Sequence, residues 1–504
     1  MQSLFTLVRT AAVLAVVVLP ALAARAVSAA VEPLDRWYTL TMQDAPAGWM
    51  HARRTVEGDR ITTASTMELR VRRGTLDLTF GMSTEFVETD EGKPVRMSAT
   101  TELGGAPSTQ TYVWTDEGVR HTVEGPGQRR DAVLPLPEGT WLTPAAAAEY
   151  LAARLRAGAD EIVVRTIDPL SGLRVATTTR TGIERVEIDA GGRTAEVFKS
   201  IGVADVQPGV ETIEHLDENG DAVRLETALG GFAVVIEKSD RATATGRPTE
   251  RAPELMTSLF IKPSRPIRNA HSTRFAEYVV RATEGDLGDI PSVGYQLAER
   301  VDDGAVRVRV NLRTPAEKAA GDLDRETYLA ATVYLDSEDS AVHALARRAM
   351  LGADGLGPAA VGERLRAFVH RHISAKDLSV GFATASEVAR SGEGDCTEHA
   401  VLLAALLRAE GIPSRVVGGL IYADQFAGGR DIFGYHAWTQ ALLPDRDGVS
   451  RWVDLDATLP GTRAFSAAHI ALSVTSLDDT GPVGGLTELA PLLGRLEIEV
   501  VRTR

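Results

Sequence analysis

The chain has 504 residues, 44% of them apolar, 24% charged and 5% aromatic, with a formal net charge of −15. That length exceeds what one hydrophobic core organises, so about two to four domains are expected, and the apolar fraction excludes disorder, collagen and coiled coil. The acidic balance argues against nucleic acid as a partner, which needs clustered Lys and Arg, and the single cysteine, Cys396, excludes an internal disulfide and a thiolate metal cage.

The N-terminus reads as a secretory signal peptide over 1–30: one basic residue, Arg9, then an apolar run from Ala11 to Leu19, Pro20, and small residues ending at Ala29 and Ala30. Cleavage after Ala29 or Ala30 is expected, with a periplasmic or secreted product that has no integral membrane domain. The competing reading, an uncleaved anchor, calls for an apolar run nearer ~20 residues. No cysteine lies there for lipid attachment. A lone thiol in an oxidising compartment is expected to have a use.

From about Trp37 to Asp240 the pattern alternates, as in Thr75–Phe80, Glu161–Arg165 and Phe232–Ile236, with turn signals at Asp90-Glu91-Gly92 and Glu218-Asn219-Gly220. A large antiparallel β domain is predicted over 31–245. One helix interrupts it from Thr143, with Thr as N-cap and Pro144 at the first helical position. A polar stretch from Arg241 to Pro253 reads as a linker. A second, smaller β region follows over 255–335, its clearest strands at Glu277–Arg281 and Val306–Val310.

Helical periodicity begins near Asp339. Asp336, Glu338 and Asp339 are expected to cap a helix starting at Ser340-Ala341-Val342. Val361, Leu365, Phe368, Val369 and Ile373 recur at helical spacing and are expected to turn Arg364, Arg366 and Arg371 to water. Gly394-Asp395 then opens a helix that is apolar all round from Ala400 to Leu407 and stopped by Gly411 and Pro413, hence a buried central helix. Cys396 falls in its first turn, where unpaired N–H groups and the helix dipole favour a thiolate and could hold an oxyanion.

Two strands are predicted next, Tyr435–Leu443 and Arg451–Thr458, around a turn at Pro444–Gly448. A symmetric hairpin centred on Arg446 sets His436 opposite Asp456, with Asp454 one diagonal step away on the same face. Sequence arithmetic does not choose between the two aspartates. A thiol at a helix start, a strand histidine and a facing aspartate make a Cys-His-Asp nucleophile set.

The stretch from about Ala341 to Pro460 resembles the transglutaminase-like superfamily, the papain-related cysteine acyltransferases and proteases. The motifs that carry this are Gly394-Asp395-Cys396, Gly411-Ile412-Pro413-Ser414-Arg415, His436-Ala437-Trp438 and Trp452–Thr458. The resemblance implies Cys396 as nucleophile, His436 as base and Asp456 as orienting acid, since Asp456-Ala457-Thr458 aligns with the family's Asp-Pro-Thr, Ala457 being a departure. It also implies an α+β fold for 336–465, a central helix packed on an antiparallel sheet, followed by an extension over 466–504. The activity implied is acyl transfer from a peptide, protein or cell-wall amide, by hydrolysis in preference to cross-linking. No cofactor and no metal are expected. The competing class is a non-catalytic binding scaffold.

Other residues have plainer readings. His399 is a rival base on the flank of the Cys396 helix, and His370 and His372 alternate like a metal pair but diverge on a helix. Trp438 and Trp452 are either substrate-binding walls of a cleft or core. Glu393 and Glu398 are expected to be solvated.

Overall fold

The computed structural model describes residues 32–504 except 74–75, 104–105, 126–127, 190–193, 207–209, 230–231, 247–251, 255–256, 284–286, 302–303, 314–315, 318–324, 376–382, 445–447, 462 and 478–491. The expected signal peptide and the centre of the predicted hairpin turn at Arg446 therefore lie outside the described residues. The chain forms two compact units, here residues 32–254 and 255–504.

The first unit contains β1 (Leu34–Met42), β2 (Ala45–Glu57), β3 (Arg60–Arg73), β4 (Leu76–Thr89), β5 (Pro94–Leu103), β6 (Ala106–Thr115), β7 (Gly118–Gly125) and β8 (Gln128–Leu134). Helix α1 (Pro144–Arg156) intervenes before β9 (Ile162–Ile167), β10 (Val175–Asp189), β11 (Thr194–Ala204), β12 (Glu211–Leu216), β13 (Ala222–Leu229) and β14 (Phe232–Ser239). Two meanders, β1 to β8 and β9 to β14, join where β14 pairs antiparallel with β1, giving one 14-stranded sheet among the described residues. Alternation does the sorting: Tyr38, Leu40 and Met42 of β1 are buried while their neighbours on the strand are less so. The sheet curls back on itself, since Phe86, Met97, Tyr112 and Val119 of β4 to β7 share a core with Ile167 of β9.

Helix α1 buries a face of small residues, Ala145, Ala147, Ala148 and Ala152, together with Leu151 and Leu155. Thr143 stands at its N-cap without capping it. The Thr143 hydroxyl donates instead to Glu88 of β4 at 2.6 Å, and that carboxylate also accepts the N–H of Ala145 at 2.8 Å. A strand carboxylate thus meets the positive end of the helix. The expected linker contains a five-residue helix, α2 (Arg241–Thr245), capped by Asp240.

In the second unit β15 (Phe275–Ala282), β16 (Gln296–Arg300), β17 (Val306–Asn311) and β22 (Leu496–Thr503) form one sheet in the order β16-β17-β15-β22. Helices α3 (Arg325–Leu329), α4 (Ser340–Ala349), α5 (Pro358–His372), α6 (Ala385–Ser391) and α7 (Cys396–Ala409) precede β18 (Ser414–Phe426), β19 (Gly429–Pro444), β20 (Ser450–Leu455) and β21 (His469–Thr475), which pair as β20-β19-β18-β21. Tyr278, Val308 and Ile498 of the first sheet share a core with Leu420, Phe433 and Ile470 of the second. The segments 255–335, 336–465 and 466–504, separated in the sequence reading, therefore build one unit. Local patterning misses this because β22 pairs with β15 some 220 residues away.

Helix α7 lies against β18 and β19 with α4, α5 and α6 around it, and Ala400 to Leu407 are at most 1% exposed. Gly411, at φ 72°, ends it in the left-handed conformation that only glycine adopts cheaply. Asp339 caps α4, accepting from the N–H of Ala341 at 2.7 Å.

Candidate active site

The turn before α7 is built around two carboxyl groups. Asp395 is the N-cap and accepts from the N–H of Thr397 at 2.9 Å, and Glu398 reaches back to the N–H of Asp395 at 2.9 Å, a reciprocal capping box. Glu398, expected at the surface, is 0% exposed. Burial first, and then the charge of Asp395, push its carboxyl well above the ordinary range. Glu393 is exposed. The chain must pass Glu398 closely at Gly394, where φ is +146° and a Cβ would stand 2.3 Å from that of Glu398. Cys396 emerges from this turn half-buried.

His436 lies on β19 opposite Gly419 of β18, and its Nε2 is 2.9 Å from Oδ2 of Asp456. The Cys396 side chain is near enough to the same imidazole to favour its charged form. With Nε2 on the carboxylate, Nδ1 is the nitrogen left for sulfur. Burial opposes the charged ring, but the charge and hydrogen bond of Asp456, and then the Cys396 side chain, prevail and push its pKa up to about 10. Asp456 goes the other way: burial would raise it, yet His436 and then His469 hold it well below the ordinary carboxylate range.

The hairpin register differs from the expected one by two residues. Gln440 faces Asp454 and Leu442 faces Trp452, and β20 ends at Leu455. A shift of two keeps every side chain on its face, so Asp456 still reaches His436, from the turn beyond the strand and not from a paired position. That turn is pinned from several sides. Oδ1 of Asp456 accepts from the N–H and hydroxyl of Thr458 at 2.8 and 2.6 Å. Arg366 of α5 donates to the carbonyls of Asp456 and Leu459 at 3.2 and 2.8 Å. Arg366 is 3% exposed, which corrects the expectation that it faces water: its guanidinium is satisfied by those carbonyls and by Glu363.

Asp454 has different partners, accepting from Trp438 Nε1 at 2.8 Å and Gln440 Nε2 at 2.6 Å. Trp438 and Trp452 are 1% and 2% exposed, which leaves no ring surface for a substrate and places both in the core. Trp452 lies under the guanidinium of Arg415, 4.0 Å from its ring centre. His399 is 1% exposed, and its Nδ1 bonds to the Asp395 carbonyl at the start of its own helix. His370 and His372 bond to two different carbonyls, those of Ala457 and Ala389.

The sequence reading missed His469, the first residue of β21. Its Nε2 is 3.2 Å from the same Oδ2 of Asp456 that His436 holds. The only local signal was a histidine opening an alternating apolar run. Among the described residues, His436, Asp456 and His469 are the group whose donor atoms, within 4.8 Å of one another, could surround a metal ion. A thiol near an imidazole that a carboxylate holds is a set of groups able to remove a proton from sulfur and deliver a nucleophile.

Residues 344–457 match the family model of the transglutaminase-like superfamily. No curated protein matches the chain. Among solved structures the chain is similar to a β-barrel-like protein of a domain of unknown function from Brucella abortus, at 16% identity and TM-score 0.32, over 42% of this chain and 97% of that one. It is also similar to a candidate cysteine protease from Cytophaga hutchinsonii, at 15% identity and TM-score 0.25, over 49% of this chain and 82% of that one. A candidate protease from Parabacteroides distasonis is similar at 12% identity and TM-score 0.20, over 78% of this chain and 67% of that one.

Proposed function

We propose that this chain, which carries a domain of the transglutaminase-like superfamily over residues 344–457, is an exported cysteine-dependent enzyme that cleaves amide bonds of a peptide, protein or cell-wall substrate through a thioester. The observation that carries the reading is one imidazole, His436, that interacts with Cys396 and is held by Asp456 at 2.9 Å.

In this mechanism Nδ1 of His436 takes the thiol proton and the sulfur attacks the amide carbonyl. The Asp395 carboxylate already occupies the Thr397 and Glu398 N–H groups, so the N–H of Cys396 is the first-turn donor that serves the oxyanion. As the C–N bond breaks, the imidazolium gives its proton to the leaving amine and a thioester remains on Cys396. Water, deprotonated by His436, then releases the acid and restores the thiol. Asp456 holds Nε2–H, fixes the ring orientation and stabilises its charged form. Cys396 is half-buried, so water reaches the acyl group, and this supports hydrolysis over cross-linking. Export rests on the signal-like sequence of residues 1–30.

The test is a screen of peptide, protein and peptidoglycan amides with the purified protein beside Cys396→Ala, reading released amine and incorporation of a fluorescent primary amine. The expected result is amine release, lost in Cys396→Ala, in excess of amine incorporation. Activity retained in full by Cys396→Ala would end the proposal.

A further inference from the structure

A cavity of about 50 Å³ lies on the buried face of the large sheet, and the strand register explains it. Met50, Met67 and Met82 stand opposite one another on β2, β3 and β4. Two residues along each strand, on the same face, come Ala52, Ser65 and Thr84, and two further along come Arg54, Thr63 and Phe86. A row of short side chains between two rows of long ones leaves a trough. Tyr38 of β1, Pro144 at the start of α1 and Asp221, just before β13, border the space.

Three polar atoms of the lining residues are buried without a hydrogen-bond partner: Nε of Arg54, Oγ1 of Thr63 and Oδ1 of Asp221. Arg54 and Asp221 are 6% and 4% exposed, and Nη2 of Arg54 stands 3.6 Å from that Oδ1, too far for a hydrogen bond. Buried donors and acceptors left in this condition cost stability, so the set describes the group that would satisfy it. Two donors call for one oxygen with two lone pairs, and one acceptor calls for one N–H. A carboxylate brings only acceptors, beside Asp221; an ammonium brings only donors, beside Arg54. Charge agrees with an uncharged occupant, because Arg36 is matched by Asp217 at 2.7 Å and by Asp221 at 3.4 Å, and Arg54 by Asp221. A secondary amide meets all of these conditions. Size narrows the choice: at roughly 10–15 Å³ for each water-sized group, the cavity holds about four, a methyl, a carbonyl carbon, its oxygen and a nitrogen.

We propose that this cavity binds an N-acetyl group: its carbonyl oxygen accepts from Arg54 and Thr63, its N–H donates to Asp221, its methyl packs against Phe86 and Met50, and the rest of the ligand leads out from the nitrogen. Methionine walls suit such an occupant, since their unbranched thioether chains adjust to what they touch. Acetamido sugars and N-acetylated amino acids both carry the group. The site goes beyond the acyl-transfer reading and stands without it, because every residue in it belongs to the first unit.

The test is a titration of the native protein, labelled at its methionine methyl groups and followed by NMR, with N-acetylglucosamine and with N-acetylalanine, beside glucose and alanine as counterparts without the acetyl group. Saturable binding of an acetylated probe is expected, in the millimolar range that so few buried atoms support, and at least ~10-fold weaker binding of its counterpart. Binding of both acetylated probes assigns the site to the acetyl group itself, and binding of one identifies its source as sugar or amino acid. Ser65→Leu fills the trough and is expected to abolish binding. Arg54→Lys keeps a cation beside Asp221 but loses the Nε–H, and is expected to weaken binding at least ~10-fold. No saturable binding of either probe up to about 50 mM, equal binding of glucose or alanine, or binding unchanged in either variant overturns the proposal. If a variant does not fold, the comparison of probes with and without the acetyl group on the native protein decides alone.

Discussion

Replacing Asp456 by Asn changes one oxygen to an N–H donor at the centre of the site. The carboxylate accepts from Nε2 of His436, and it and Cys396 carry the imidazole from an ordinary 6.5 to about 10 against the opposing effect of burial. The net is ~3.5 units, or ~5 kcal/mol at 1.36 kcal/mol per unit, an order-of-magnitude figure for what the two partners supply beyond the cost of burial. The side chains of His436 and Asp456 are 8% and 0% exposed, so solvent screens the interaction little. In Asp456→Asn the amide donates to Nε2, the neutral ring must carry its proton on Nδ1, and that proton points at the sulfur whose own proton the ring should accept. Two effects are expected. The His436 midpoint, followed by NMR of selectively labelled histidine and assigned with His436→Gln, should fall by at least about two units. Turnover should fall ~10⁴-fold, the cost of the same change in a serine protease triad. A midpoint within about half a unit of the native value would refute the electrostatic reasoning.

Arg366→Ala removes the buried donors to the carbonyls of Asp456 and Leu459; a loss of about 1–3 kcal/mol in chemical denaturation is expected, with slower alkylation of Cys396 as the turn loosens. At Gly419 a Cβ would stand 2.1 Å from the Ile470 carbonyl oxygen and 2.8 Å from the Trp438 ring. Gly419→Ala should therefore lower stability by ~2 kcal/mol or more, while Gly434→Ala, whose nearest neighbours are at 3.9 Å, should stay within about 1 kcal/mol. Arg180 and Glu214 of the large sheet pair at 2.7 Å with side chains 0% and 1% exposed. Arg180→Met leaves a buried carboxylate behind and should cost about 3–5 kcal/mol in the unfolding of that unit. The His436–Asp456 pair also fixes a pH window. The raised imidazole contributes stability that is full below 6.5 and lost as pH rises through about 10. The depressed carboxyl contributes stability present above 3.8 and lost as pH falls through its lower folded value. The stability difference between native protein and His436→Gln should therefore shrink between those limits on the alkaline side, measured by denaturation at a series of pH values.

How much was legible follows from the range of each signal. Strand alternation and the all-round apolar run of Ala400 to Leu407 are local, and both elements stand where the pattern put them. Cys396, His436 and Asp456 each sit in a local motif, and the structure brings them into one cluster. What depends on distance was not legible. The return of β14 to β1, and of β22 to β15, joins strands about 200 residues apart. The hairpin register failed by two because turn length is set by the chain's path, although the two-residue period preserved the face. Arg366 reads as a solvated helix residue until the carbonyls of the 456–459 turn are set over it. Trp438 and Trp452 could not be divided between cleft and core by pattern, since an apolar face looks alike in either setting. His469 finds Asp456 only through tertiary structure.

The most direct test of the central claim uses the fact that the chain has one cysteine. Iodoacetamide labelling of Cys396 is followed by intact mass at about pH 6, below the ~8.5 of an ordinary thiol, in the native protein and in His436→Ala. The account expects rapid labelling of the native protein and at least ~10-fold slower labelling of the variant. Equal rates in the two proteins would mean that His436 does not activate Cys396, and would contradict it.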